Sequence, residues 1–254
     1  MKIAIWNVNS IKARLEHAQN WLAATQPDVL MLQELKGLEF PLDVFKAAGY
    51  EVVYKGQKAY NGVATLSRTP IALITDQLAG DDADEQSRYL ETDINGMRLI
   101  NIYLPNGNPV GTEKYSYKLA WMDRLYQRMK VLRDQDIPAI VGGDFNIIPE
   151  ARDCYDPVGW SDDALFRLES RQKFRALLNL GYTDAFRVFN QQDAQYSFWD
   201  YTAGCWPANK GLRIDHFLTA PRYTDRLVDC VIDKGPRGLE KASDHTPVIL
   251  TIGA

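Results

Sequence analysis

Cysteine is scarce in this 254-residue chain: Cys154, Cys205 and Cys230 are an odd three, and no two form a C-x-x-C pair. A disulfide scaffold and a zinc ribbon are thereby excluded, and a reducing compartment is expected. Histidine is equally rare, with only His17, His216 and His245. His17 falls in a helical pattern beside Arg14 and Glu16 and reads as a surface residue, so a three-histidine zinc centre has no support. No run approaches the roughly eighteen apolar residues of a membrane span. The apolar start, Ile3 to Trp6, is too short for a signal-peptide core, so a cytoplasmic protein is expected. No Pro/Gly/Ser-rich linker, fixed-period repeat or low-complexity tract divides the chain, and one domain over 1–254 is expected. An excess of base is lacking too. Lys and Arg number 29 against 33 Asp and Glu, a net charge of −4. That balance opposes tight non-specific nucleic-acid binding, unless acids are concentrated at a cation site whose metal offsets them. There is no G-x-S-x-G elbow, no G-x-x-x-x-G-K-S/T loop and no G-x-G-x-x-G after a strand pattern.

The hydrophobic content of 46% is ordinary for a soluble globular chain. Short Ile/Val/Leu-rich runs at 3–6, 28–32, 51–54, 62–67, 98–104, 138–141, 214–218 and 247–252 have strand length. Helical periodicity occurs near 11–24, 41–48, 113–134 and 169–179. It is clearest in the third, where Leu119, Met122, Leu125, Tyr126, Met129 and Leu132 make a stripe that predicts core packing. The elements interleave without strict alternation, which predicts mixed or antiparallel sheets covered by helices. Residues 80–87, with four acids in eight, read as a solvated loop.

The chemistry lies where the apolar runs stop. Ile3–Trp6 runs into Asn7 and Asn9, Val29–Leu32 into Gln33-Glu34, and Leu99–Ile102 into Tyr103 and then Pro105-Asn106. Ala139–Gly143 runs into Asp144-Phe145-Asn146. Near the C-terminus the order reverses: Asp215 opens one run and Ser243-Asp244-His245 precedes another. Asn, Asp and Gly at strand ends are common turn formers, but Glu34 has no turn preference. Strands meeting at one edge would gather all these groups at one rim. Glu34, Asp144, Asp215 and Asp244 offer carboxylate oxygens and Asn7 and Asn146 amide oxygens, a set suited to Mg²⁺ or Mn²⁺ rather than zinc. His245 beside Asp244 is suited to a phosphoryl oxygen. Together these types point to metal-assisted hydrolysis of a phosphate ester.

The chain resembles the exonuclease III / apurinic-apyrimidinic (AP) endonuclease family of the endonuclease/exonuclease/phosphatase superfamily. The resemblance runs from residue 1 to about 252. It rests on Trp6-Asn7-Val8-Asn9, Leu32-Gln33-Glu34-Leu35-Lys36, Asn61-Gly62-Val63 with Leu66-Ser67-Arg68, Tyr103-Leu104-Pro105-Asn106, Gly143-Asp144-Phe145-Asn146, Gly211-Leu212-Arg213-Ile214-Asp215 and Ser243-Asp244-His245. It implies a four-layered α/β sandwich, two packed mixed sheets flanked by helices. It implies a divalent-metal-dependent hydrolase that cleaves 5′ to abasic sites in double-stranded DNA, with 3′→5′ exonuclease and 3′-phosphodiesterase or phosphatase activity on blocked 3′ ends. A monomer is expected. By the resemblance Glu34 is the principal metal carboxylate with Asn7 beside it, and Asp144 orients or deprotonates the attacking water. Asn146 holds the phosphate, Asp215 pairs with His245, and Tyr103 faces the same phosphate. Asp244 supports the metal shell and Asn106 touches the DNA backbone. Phe198, Leu212 and Ile214 match the pocket for a flipped-out abasic sugar; Arg88 matches a basic residue of the family without an assigned role. There are departures: Asn9 stands where some members carry Asp, and His216 where an apolar or aromatic residue is usual, which predicts a packed neutral histidine. Trp206, in the loop 203–207, either wedges into DNA or caps the core. The alternative within the superfamily is a phosphatase or phosphodiesterase acting on a small phosphate ester.

Overall fold

The computed structural model describes residues 1–202 and 204–253, so Ala203 of the 203–207 loop lies outside it. In chain order the elements are β1 (Lys2–Asn7), α1 (Leu15–Thr25), β2 (Val29–Gln33), α2 (Leu42–Ala47), β3 (Glu51–Lys55), β4 (Val63–Ser67), β5 (Ala72–Thr75), β6 (Tyr89–Ile94) and β7 (Met97–Tyr103). They continue with α3 (Glu113–Asp134), β8 (Ala139–Asp144), α4 (Leu168–Asn179), β9 (Thr183–Asp184), α5 (Ala185–Phe189), β10 (Asp215–Thr219), α6 (Pro221–Thr224), β11 (Leu227–Ile232) and β12 (Val248–Ile252).

All eight apolar runs of the sequence are strands and all four helical patterns are helices. Two six-stranded sheets result, in the orders β11-β12-β1-β2-β4-β3 and β5-β6-β7-β8-β10-β9. Both are mixed: β1 runs parallel to β2 and β7 to β8, while the other pairs are antiparallel. Each parallel pair is joined through a helix, α1 or α3, because a parallel return needs a crossover that a hairpin cannot supply. Ile3, Ile5, Val29 and Met31 of one sheet pack on Leu99, Ile140 and Phe217 of the other, in one buried cluster. On the outer faces, Trp21, Leu22 and Phe45 of α1 and α2 cover Trp6 and Leu30, and Trp121, Leu125 and Phe174 of α3 and α4 cover Ile100 and Val141. The order helix, sheet, sheet, helix is the expected four-layered sandwich.

Elements that the apolar runs do not reveal have physical reasons for their silence. In β6 the run is broken by Glu91, which is fully buried, bound by Arg98 at 2.5 Å and Arg128 at 2.6 Å and by the Tyr89 hydroxyl at 2.6 Å. β5 and β11 are edge strands whose outward residues are exposed, including Leu73, Ile74, Val228 and Val231. The α3 stripe shifts slightly: Met122, Leu125, Met129 and Leu132 are buried as expected, Leu119 and Tyr126 lie at its margin, and Lys118 and Trp121 lie inside. The acidic 80–87 loop is largely exposed, but Asp84 is pinned by Tyr117 and Arg124.

Topology assembles one rim. β1, β2, β7 and β8 end on the same side, and the antiparallel β10 and β12 begin there, with Asp215 in register with Asp144. A buried polar tie fixes the two sheets just behind it. Gln33 Nε2 donates to Asn101 Oδ1 (2.8 Å), and Asn101 Nδ2 donates to the carbonyls of Leu32 (3.1 Å) and Ala64 (2.9 Å). The two glycines before Asp144 serve close approach. A Cβ on Gly142 would lie 2.7 Å from the Phe217 ring. One on Gly143 (φ 142°) would lie 2.0 Å from the Ile102 carbonyl oxygen, so any side chain there would displace the strand that presents Asp144.

Candidate active site

Glu34, Asp144 and His245 each offer an atom, and these atoms all lie within 4.8 Å of one another. Glu34 leaves β2 in the left-handed region, φ 55°, and Asn146 leaves β8 at φ 47°. Such backbone costs of order 1 kcal/mol or more for a non-glycine residue and persists where surrounding contacts over-determine it. Those contacts are present. Leu35 N–H donates to the Gly62 carbonyl (3.2 Å), and the Asn146 N–H donates to Asp144 Oδ1 (2.8 Å).

Asn7 joins the two carboxylates, its Nδ2 donating to Glu34 Oε1 (2.8 Å) and Asp144 Oδ2 (2.9 Å). Its amide oxygen accepts the Asn9 N–H (3.0 Å), so the oxygen expected to face a cation is turned toward the backbone. Asn146 likewise spends its amide locally, donating to the Leu104 carbonyl (2.9 Å) and accepting from Asn106 Nδ2 (3.2 Å). Asp244 is half-buried and accepts from Asn9 Nδ2 (3.0 Å). The trio that converges is thus Glu34, Asp144 and His245, with Asn7, Asn146 and Asp244 around it.

The expected Asp215–His245 pair is formed. His245 Nδ1 lies 2.9 Å from Asp215 Oδ2 and Nε2 lies 3.7 Å from Asp144 Oδ2. Because Asp215 is acceptor-only, Nδ1 carries the proton and Nε2 points into the site. Burial alone would depress the imidazole, but the charges of Asp215 and Asp144 and the Asp215 hydrogen bond raise it to about 10. Burial, and then the charges of Asp215 and Glu34, raise Asp144 to about 7 against the opposing charge of His245. At Glu34 burial also opposes ionisation, but hydrogen bonds from Asn7 and Lys36 and the charge of Lys36, 2.8 Å away, hold the carboxyl below its ordinary range. Tyr103 ends β7 with Arg88 over its ring at 4.7 Å. Burial and the charges of Glu34 and Asp144 keep its phenol protonated and able to donate.

The half-buried Glu34 and the buried Asp144 offer hard carboxylate oxygens that can hold a divalent cation next to His245, and the crowding of Asp144, Glu34 and Asp215 gives a cation a favourable field.

Ser197 of the site, and Asp153 and Asp184 behind it, escape the motifs. Ser197 Oγ donates to Asp215 Oδ2 (2.6 Å) and accepts the N–H groups of Ile214 and Asp215 (both 3.2 Å), which fixes the carboxylate that fixes His245. Behind it, Arg213 binds Asp153 (2.7 Å) and Asp184 (2.8 Å) in the interior. His216 is packed and neutral as expected: burial and the Arg213 charge lower it to about 4. Arg213, a pure donor, faces its Nδ1 at 3.0 Å, so Nε2 carries the proton and donates to the Ile147 carbonyl (2.9 Å).

An apolar wall stands beside this centre. Phe198 is half-buried with its ring edge-on to His245 at 4.9 Å, and Leu212 and Ile214 lie beneath, buried with Ile148, Cys154, Leu165 and Phe166. Leu212 and Ile214 are therefore the floor, and Phe198 is the one of the three that reaches the surface. Trp206 is half-buried, edge-on to Trp199 at 4.8 Å with Arg237 over it at 5.5 Å, so one side of its ring packs on that corner and the rest is exposed. Asn106 is exposed at the rim.

Among the described residues no helix is long and apolar enough to cross a membrane. The model of the endonuclease/exonuclease/phosphatase family matches residues 4–245. The exodeoxyribonuclease III of Haemophilus influenzae is 32% identical over 266 residues, covering 98% of each chain. The solved structure of an AP endonuclease from Archaeoglobus fulgidus matches with a TM-score of 0.96 at 36% identity, covering 100% of both chains. That of a 3′-5′ exonuclease from Neisseria meningitidis matches with a TM-score of 0.95 at 37% identity, again over 100% of both. With the fold, the carboxylate–imidazole centre and these likenesses in agreement, the chain belongs to the endonuclease/exonuclease/phosphatase family, and within it to the exodeoxyribonuclease III / AP endonuclease group of hydrolases.

Proposed function

We propose that this enzyme hydrolyses DNA phosphodiesters at a Mg²⁺- or Mn²⁺-dependent centre, cutting 5′ to abasic sites and trimming or unblocking 3′ ends of double-stranded DNA. The observation that carries the reading is the convergence of Glu34, Asp144 and an Asp215-held His245 at one rim beside an apolar wall. The names of the relatives, an exodeoxyribonuclease, an AP endonuclease and a 3′-5′ exonuclease, support it. The chain acts as a monomer, as a single domain over 1–254, in the cytoplasm.

Glu34 and Asp144 are the carboxylates that would hold the ion, with Asn7, Asn146, Asp244 and His245 completing its surroundings. Once bound, the ion supplies positive charge to the scissile phosphate. The remaining work falls to the chain. Asp144, raised toward neutrality, orients the attacking water and takes its proton. His245 directs Nε2–H at a phosphate oxygen, and the Tyr103 phenol and the Asn146 amide share the charge that develops there. Asn106 holds the DNA backbone. Phe198, with Leu212 and Ile214 below it, receives a sugar that lacks a base, which a normal nucleotide would overfill.

The substrate assignment is tested with Phe198→Ala. Abasic-site cleavage should fall by about tenfold or more, while removal of a 3′-phosphate should change by less than about threefold, because only the first reaction fills the pocket. Parallel kinetics on the two duplexes decide the matter, and equal losses would remove Phe198 from the pocket.

A further inference from the structure

Helix α3 turns a row of apolar side chains inward, and one member of the row is a lysine. Lys118 is 0% exposed, between Tyr115 and Met122 on the same face. A methionine would fill such a position without burying a polar group, so the amine calls for a reason. Its partners are two main-chain carbonyls: Nζ donates to Asn106 O at 2.9 Å and to Asn146 O at 2.6 Å. The first lies in the loop after β7 and the second in the loop after β8, so one side chain spans both loops that form this half of the rim.

Two further features converge on the same place. Gly107 has φ 90°, and a Cβ there would lie 2.5 Å from Lys118 Cδ, so the loop leaves room for the lysine stem. Asn146 is left-handed at φ 47°, and it is the carbonyl of this residue that the lysine Nζ holds. The same two asparagines are also paired through their side chains, Asn106 Nδ2 to Asn146 Oδ1 at 3.2 Å, and the Asn146 N–H holds Asp144 Oδ1. Asn106, Asn146 and Asp144 thus form one connected unit, with Lys118 as the group beneath that joins its two strands of chain.

We propose that Lys118 is a positioning residue for hydrolysis: by binding the carbonyls of Asn106 and Asn146 it locks the two loops together and sets the aim of Asn146 and Asp144 at the phosphate. The proposal rests on the catalytic reading above for the roles of those two residues. It predicts that the loss on removing the amine donors falls on the chemical step, since Lys118 is out of reach of a ligand.

The test uses Lys118→Met, which keeps length and apolar volume and removes the donors. The substrate is whichever phosphate ester the wild-type enzyme turns over fastest, so a wrong substrate and a wrong role for Lys118 give different results. Misaimed catalytic groups can cost about 100-fold, so kcat should fall by that order while KM and duplex Kd stay within about threefold. Lys118→Gln, with a donor for one carbonyl, should lose less, and it carries the test if the Met variant does not fold. Met129→Ala, in the core of the same helix, is the control for stability: it should lower Tm at least as much and leave kcat at the wild-type level. Amide exchange over 104–108 and 145–148 should quicken in the Lys118 variants and not in Met129→Ala. A folded Lys118 variant with a lowered Tm and a kcat within about threefold of wild type would show the lysine to be structural only.

Discussion

Replacing Asp144 by Asn is expected to lower turnover on duplex DNA by about 10³-fold or more, while the Kd for the same duplex moves by less than about fivefold. Size and shape are conserved, and the Asn7 and Asn146 contacts can be kept in part, so the rim should stay assembled. What disappears is a base. Asp144 is nearly fully buried, and burial with the neighbouring charges of Asp215 and Glu34 raises it toward neutrality. A carboxylate so placed takes a proton from water more readily than an exposed one, and an amide cannot take it at all. Single-turnover rates and equilibrium binding on one labelled duplex separate the two effects. Turnover near the wild-type rate would remove Asp144 from its role.

Asp215→Asn is expected to cost about 10²- to 10⁴-fold and also to reshape the pH profile. The carboxylate does two things for His245. It fixes the proton on Nδ1, which leaves Nε2 aimed at the site, and its charge helps hold the imidazole protonated to about 10. An amide removes the charge and can present its NH₂ to the ring, favouring the tautomer with a bare Nδ1. The sign follows. Wild-type His245 stays charged through neutral and mildly alkaline pH. The variant should lose its proton closer to the ordinary histidine value of about 6.5 and so lose activity as pH rises from about 7 to 9. The wild type should not fall on that limb: its rate should rise modestly above pH 7 as Asp144, at about 7, becomes fully ionised, while His245 stays charged. Rates measured from pH 6 to 10 at constant ionic strength test this, and parallel profiles would show that Asp215 does not govern the charge of His245. Ser197 should reproduce the effect weakly, because it orients the same carboxylate at 2.6 Å.

The legible part of this protein is the part written in short range. Apolar runs ended by Asn7, Glu34, Tyr103 and Asp144, or opened by Asp215, mark both the strands and the rim, because a parallel pair must end on one side. The pairing of Asp215 with His245 came from family resemblance, since 30 residues separate them and no spacing rule joins them. Other features depend on partners far along the chain. Glu91 hides β6 because its acceptable burial depends on Arg98 and Arg128. The orientation of the Asn7 amide is set by a backbone N–H two residues on and by two carboxylates from other strands, so its donors and not its oxygen face the centre. Lys118 did carry a signal, since it stands four residues before Met122 on the inward stripe of α3. A lysine in that register reads as solvent-facing until its two carbonyl partners are known. The acidic net charge also has a local explanation: Glu34, Asp144, Asp215 and Asp244 gather at one rim, where a bound cation would offset them.

The account turns on hydrolysis of DNA at the Glu34–Asp144–His245 centre. The most direct test is an end-labelled duplex carrying one abasic analogue, incubated with the wild-type enzyme and Mg²⁺ or with EDTA, and with Glu34→Gln alongside. The account predicts a discrete cut 5′ to the lesion in Mg²⁺, abolished by EDTA and lost in the variant at the same Mg²⁺ concentration. A cut that persists in EDTA, or an intact duplex in Mg²⁺ with turnover only of small phosphate esters, would contradict it.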